Sequence, residues 1–117
     1  MQIQIRLQKN LVILALGGSL DSPENSARLG AAIADCLFYG YPTILIDCAH
    51  SRRLGDAALN GLLNAHIEAK RAGGAIRLLH PELAAANLMV LAKLMTVFDT
   101  FDTEDEAIAG YRRPPAA

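Results

Sequence analysis

Asp47, Cys48, His50 and Ser51 are the residue types of a nucleophilic site: a thiol or hydroxyl to attack, an imidazole to take its proton and a carboxylate to orient the ring. They follow the β-rich run Thr43-Ile44-Leu45-Ile46, at the C-terminal end of a strand, where open α/β sheets bind ligands. Close neighbours on a strand end point in alternating directions, whereas a catalytic triad is assembled from groups that meet in space. Structural roles are therefore favoured, with Cys48 a buried small hydrophobe and Asp47 an acceptor for loop N–H groups. His50, His66 and His80 have no Cys or His at ligand spacing, so no metal site is expected. His66 falls on the apolar stripe of a helix and reads as a satisfied core or boundary histidine.

Gly17-Gly18-Ser19 stands between a strand and a helix, the setting of a phosphate loop. Neither the three-glycine dinucleotide fingerprint nor the Gly-Lys-Ser/Thr of a P-loop is present, and the acids Asp21 and Glu24 at the helix start repel phosphate. The glycines read as turn residues, and no cofactor is expected. A small-molecule or nucleotide-binding module at the strand ends around Gly17 and Asp47 stands as a lesser alternative.

The elements that position these residues follow from periodicity. Ile3, Ile5 and Leu7 alternate with polar residues, and Lys9-Asn10 turns the chain into the apolar run Leu11 to Leu16, which predicts a hairpin. Asp21-Ser22-Pro23-Glu24 is a helix start, with a capping side chain, Pro in the first turn and an acid beside it. The helix it opens should run to about Leu37, burying Leu29, Ile33, Cys36 and Leu37. Thr43 to Ile46 is the central strand, and Asp47 to Leu54 reads as a polar loop. A second helix carries Leu59, Leu62, Leu63, His66 and Ile67 on one face and ends at Gly73-Gly74. Ala75 to Leu79 is a short strand. Pro81 starts a third helix with Leu83, Asn87, Val90, Leu91 and Leu94 on one face, and Val97 to Phe101 is an edge strand. Thr103 and Glu106 have capping-box spacing for a last short helix.

The order β-β-α-β-α-β-α-β-α predicts an α/β fold with a mixed sheet of about five strands and right-handed helical crossovers. Residues 1–111 form a single domain in this reading, and 112–117, which lack apolar periodicity, a flexible tail.

The chain has 117 residues, 52% of them hydrophobic, which fills one core and leaves no room for a second. A formal net charge of −1 supplies none of the attraction that draws proteins onto phosphate backbones or anionic membranes. Aromatic residues are only 5% and Trp is absent, so stacking platforms for bases are lacking too. Nucleic acid is not expected as a partner. Met1 to Gln8 does not have the form of a signal peptide, no apolar run is long enough for membrane insertion, and the two cysteines read as reduced. The expected compartment is the cytoplasm.

Four segments, in order, resemble the STAS family, and within it the small bacterial anti-sigma factor antagonists. Leu16-Gly17-Gly18-Ser19-Leu20-Asp21 fits the pattern Leu-x-Gly-x-Leu-Asp. Ile44 to Asp47 leads without a gap into the loop and Leu59. Gly73-Gly74-Ala75-Ile76-Arg77-Leu78 is similar to the family's Gly-Gly strand start. Phe98 to Ala107 resembles its Phe-x-x-Phe-x-Thr-x-x-Glu-Ala ending. The resemblance implies a non-catalytic interaction domain, controlling transcription by partner switching with an anti-sigma factor or related signalling regulator, as a monomer or weak homodimer. In phosphoregulated members the loop before the second helix reads Asp-Ser-Ser-Gly or Asp-Ser-Thr-Gly, and an anti-sigma kinase phosphorylates the second hydroxyl. Here Gly55-Asp56-Ala57-Ala58 occupies those positions. Superposing the aspartates instead still places Ala57 and Ala58 where the hydroxyls belong, so this phosphosite is degenerate. Asp56 reads as a helix cap or first-turn acid, and less readily as a fixed negative charge standing in for phosphate.

The docking face implied is made of Asp21 and Ser22, the loop residues Ser51, Arg52, Arg53 and Asp56, and Ala57 and Asn60 on the first turns of the second helix. The alternative of a different class is a STAS subunit of a transport or other multiprotein assembly, which needs only the fold and one packing face.

Overall fold

Alternation and turn chemistry at the N-terminus produce the expected hairpin in the computed structural model, which describes residues 1–110. Strand β1 (Gln2–Gln8) pairs antiparallel with β2 (Leu11–Ser19) in an unbroken register from Gln2 opposite Gly17 to Gln8 opposite Leu11. Lys9 adopts a left-handed φ of 56° in the turn. The remaining strands add in sequence order and parallel, β3 (Thr43–Arg52), β4 (Ala75–Leu79) and β5 (Asp99–Phe101), so the mixed sheet runs β1-β2-β3-β4-β5.

Helix α1 (Pro23–Phe38) begins where the sequence sets its signals: the Ser22 hydroxyl accepts from the Asn25 N–H at 3.0 Å. Helix α2 (Asp56–Arg71) is capped by Gly55, so Asp56 is a first-turn acid and not the cap. The third helix is broken in two, α3 (Pro81–Ala84) and α4 (Leu88–Val97). Asn87 lies on no apolar face of a continuous helix; its side chain caps α4 by accepting from the Val90 N–H at 3.0 Å. Val97 belongs to α4, and the edge strand is confined to Asp99–Phe101. Helix α5 (Glu104–Ala109) is capped by Thr103, whose hydroxyl accepts from the Glu106 N–H at 3.1 Å.

The sheet's two faces are unequally covered. Val12, Leu14, Ile44, Ile46, Ile76 and Leu78 pack under α1, α2 and α4 in the larger core, with Phe98 among them. Leu11, Ile13, Leu45, Leu79 and Phe101 form a smaller cluster on the other face with Ala107 of α5. Leu59 and Leu62 of α2 are buried as expected, but Ile67 is exposed at the far rim of that helix. Ile5 and Leu7 of β1 are also exposed, at 64% and 57%, so the hairpin's outer strand extends past the helical cover. The C-terminal segment expected as a loose tail lies outside the described residues.

Candidate functional site

The segment from Asp47 to Leu54, expected as loop, is strand through Arg52. His50, Ser51 and Arg52 pair with Gly17, Gly18 and Ser19 after an irregularity between Ala15 and Gly17. Both strands therefore rise together to one end of the sheet. There the Leu20 N–H donates to the Arg52 carbonyl at 2.9 Å. This lattice brings the turn before α1 beside the turn before α2.

At that end the Asp21 carboxylate is held twice. It accepts from the Ser19 hydroxyl at 2.6 Å and from the Arg53 guanidinium at 3.3 Å. These two contacts, the serine hydrogen bond first, hold Asp21 below the usual carboxylate range. Arg53 takes a left-handed φ of 59°, uncommon for a residue with a side chain, and so turns back toward Asp21. The Asn25 amide donates to the Ser19 carbonyl at 3.0 Å, closing the turn beneath.

Of the residues expected on the docking face, Asp21, Arg52, Arg53, Asp56, Ala57 and Asn60 are exposed and Ser22 is half-buried. Ser51 is a correction: it is 4% exposed, and its hydroxyl donates inward to the Cys48 carbonyl at 2.9 Å. Strand alternation sends Ser51 to the core side and Arg52 outward. At the start of α2 Gly55 offers no side-chain cap, so the first-turn N–H groups have no capping acceptor from that position, and Asp56 is the acid of the turn.

The sequence did not mark one neighbouring segment. The Leu54 N–H donates to the Ala84 carbonyl and the Ala86 N–H to the Leu54 carbonyl, each at 2.9 Å, a short parallel bridge to Ala85. That bridge interrupts the third helix and lays its junction against the docking turn. Leu83, Leu88 and Met89, on either side of that junction, are exposed at 55%, 82% and 74%. The signal available in the sequence was the apolar excess of Leu88-Met89-Val90-Leu91, more than one buried stripe needs.

The nucleophilic cluster does not come together. Cys48 is fully buried, and burial first, then the charge of Asp47, pushes its thiol up to about 12. Asp47 accepts from the Ala49 N–H at 3.0 Å, the backbone role expected of it. His50 points away, onto a polar cleft with Gln2, Gln4 and Gly17. His66 is a boundary residue as read: its Nδ1 accepts from the Ile76 N–H at 3.3 Å and its ring meets Phe98 edge to face at 5.0 Å. Among the described residues no group of three His, Cys, Asp or Glu side chains could hold a metal ion, and no helix is long and apolar enough to cross a membrane.

A polar turn bearing the Asp21–Arg53 pair, a helix start without a side-chain cap and an apolar junction make a surface suited to contact with another macromolecule. The STAS domain family model matches residues 2–107. A putative anti-sigma factor antagonist from Thermotoga maritima superposes with a TM-score of 0.79 at 22% identity, covering 95% of each chain. The anti-sigma factor antagonist SpoIIAA in its unphosphorylated form gives 0.74 at 21%, covering 93% of this chain and 96% of that one. The phosphorylated form of SpoIIAA, a Bacillus cell fate determinant, gives 0.71 at 22%, with 95% and 100% covered. No curated protein matches in sequence.

Proposed function

The chain belongs to the STAS domain family, and from that premise we propose that it is a non-catalytic, anti-sigma factor antagonist-like module that docks on an anti-sigma factor or related cytoplasmic regulator. The observation that carries this reading is the juxtaposition of Asp21, Arg53 and the open start of α2 at one end of the sheet, fixed by the Arg53–Asp21 ion pair at 3.3 Å. Backbone pairing of β2 with β3 and the Leu20 N–H bond to the Arg52 carbonyl hold the two turns side by side before a partner arrives, which lowers the ordering cost of binding. The exposed Leu83, Leu88 and Met89 supply an apolar anchor next to a polar rim, the usual anatomy of an interface.

SpoIIAA exists in phosphorylated and unphosphorylated forms. In this chain Ala57 occupies the position that the resemblance gives to the phosphorylated hydroxyl, so docking here does not answer to phosphate on that turn. Ala57 is exposed, and Ala57→Glu adds a carboxylate at the position where phosphate acts in the family, without disturbing the core. The variant is expected to bind the partner at least about tenfold more weakly, a change of ~1.4 kcal/mol. Affinity capture with tagged wild type and Ala57→Glu, followed by mass spectrometry, tests this. An anti-sigma kinase or other sigma regulator retained by wild type and lost by the variant supports the reading; equal recovery of every protein by both sinks it.

A second reading, a permanent subunit of a transport or other multiprotein assembly, is favoured by the outer face of α4. Met95 and Val97 are exposed there at 49% and 43% in addition to Leu88 and Met89. The same capture separates the two, since transporter subunits recovered by both proteins point to the assembly.

A further inference from the structure

Among the described residues, strand β1 ends the sheet with a free edge: it has seven residues and pairs only with β2. At ~3.3 Å per residue it offers about 23 Å of backbone N–H and C=O groups to a further strand. The devices that usually blunt such an edge are missing. Gln2 to Gln8 contains no Pro, Gly or Lys, its register with β2 has no bulge, and its single charge, Arg6, is paired with Glu104 of the same chain. On the helix-bearing face, Ile5 and Leu7 stand 64% and 57% exposed and, with Val12, Ala32, Tyr39 and Tyr41, line an apolar groove alongside α1.

We propose that this edge is the interface for a second copy of the chain, the two β1 strands pairing antiparallel about a two-fold axis at Ile5 to join two five-stranded sheets into one. The sequence of the strand selects the occupant and the register. A two-fold axis perpendicular to the sheet keeps both helical layers on one face and sets residues of the same facing opposite each other. Centred on Ile5, it pairs Ile5 with Ile5, Ile3 with Leu7, Gln4 with Arg6 and Gln2 with Gln8 of the other copy, so that apolar meets apolar and polar meets polar along the whole strand. Centred on Arg6, it would put two guanidinium groups face to face, which like-charge repulsion opposes. Centred on Gln4, it leaves the end of the strand unpaired.

The geometry also has a consequence for docking. The axis reverses strand direction between the copies, so the turns carrying Asp21 and Arg53 lie at opposite ends of the joined sheet. Both stay free, and the dimer presents two docking surfaces.

Sedimentation velocity of the whole chain across a wide concentration range tests the interface, with Ile5→Lys and Gln4→Glu as variants. Wild type is expected to shift from monomer to dimer as concentration rises, with amide protection appearing along β1. Ile5→Lys places two ammonium groups at the axis and is expected to weaken association about tenfold or more. Because Ile5 is exposed, its circular dichroism should match wild type, as should its thermal midpoint at concentrations where both are monomeric. Gln4→Glu sets a carboxylate opposite Arg6 of the second copy and is expected to strengthen association several-fold at low salt. A chain that stays monomeric throughout, or a dimer that Ile5→Lys leaves intact, overturns the proposal. Capture of the docking partner by Ile5→Lys is expected to be unchanged, so failure here and failure of the docking reading are distinguishable.

Discussion

At the level of single residues, His66 shows how a side chain on an apolar stripe can set a pH dependence without serving as a ligand. Burial first, then the nearby Lys70, lowers its pKa from 6.5, while the ring nitrogen Nδ1 accepts from the Ile76 N–H at the start of β4. The fold therefore favours the neutral ring. A depressed folded pKa means that this stabilisation is present above the unfolded value and is lost as pH falls through and below 6.5. Urea midpoints measured from neutral pH down to about pH 5 should fall for wild type more than for His66→Gln, whose carbonyl can accept the same N–H but does not titrate. Both proteins keep His50 and His80, so the difference between them isolates His66. Its structural role was readable from stripe position, although that position left core and boundary open. The inward turn of Ser51 was not, because the strand character of His50 to Arg52 comes from pairing with Gly17 to Ser19 and not from any β-rich local sequence.

At the level of elements, the junction between α2 and β4 gives the Gly73-Gly74 pair a physical reason. Gly73 has φ 89°, the left-handed turn that ends the helix, and open space around it. Gly74 has no such φ, but a Cβ there would lie 2.2 Å from the Pro42 carbonyl oxygen, backbone that is itself hydrogen-bonded to the Ala75 N–H. The two alanine variants should therefore fail differently. Gly73→Ala is expected to lose about 1–2 kcal/mol through backbone strain, partly restored by Gly73→Asn. Gly74→Ala is expected to lose about 2–3 kcal/mol through a clash that no side-chain rotation relieves. Chemical denaturation of the three proteins checks both. Most elements were legible because their signals are local: alternation for β1, the Ser22 cap for α1, Thr103 for α5. The break between α3 and α4 was hidden because Ala84-Ala85-Ala86 favours helix, and only the long-range bridge to Leu54 overrides it.

At the level of the whole molecule, unequal cover on the two sheet faces predicts unequal local stability. The larger core takes buried residues from α1, α2, α3 and α4, whereas α5 contributes one buried residue, Ala107, to the smaller cluster. What holds α5 in place is largely polar: the Arg77 guanidinium donates to the Ala107 carbonyl at 2.8 Å, and Arg6 pairs with Glu104. Arg77 lies on β4, opposite Leu45 of β3 and Asp99 of β5, so one side chain ties the sheet's centre to the closing helix. Arg77→Met keeps the stem but removes the donor, leaving a helix carbonyl without its charged partner, at an expected cost of about 1–2 kcal/mol. That loss should be local. Hydrogen exchange is expected to show α5 and β5 opening more readily in the variant, while amides of β2, β3 and α2 keep the protection of global unfolding. If all elements lost protection together, α5 would be an integral part of the cooperative core. A local loss instead makes α5 a closing latch on a sheet that the other helices already hold, leaving the docking end built by β2 and β3 unaltered.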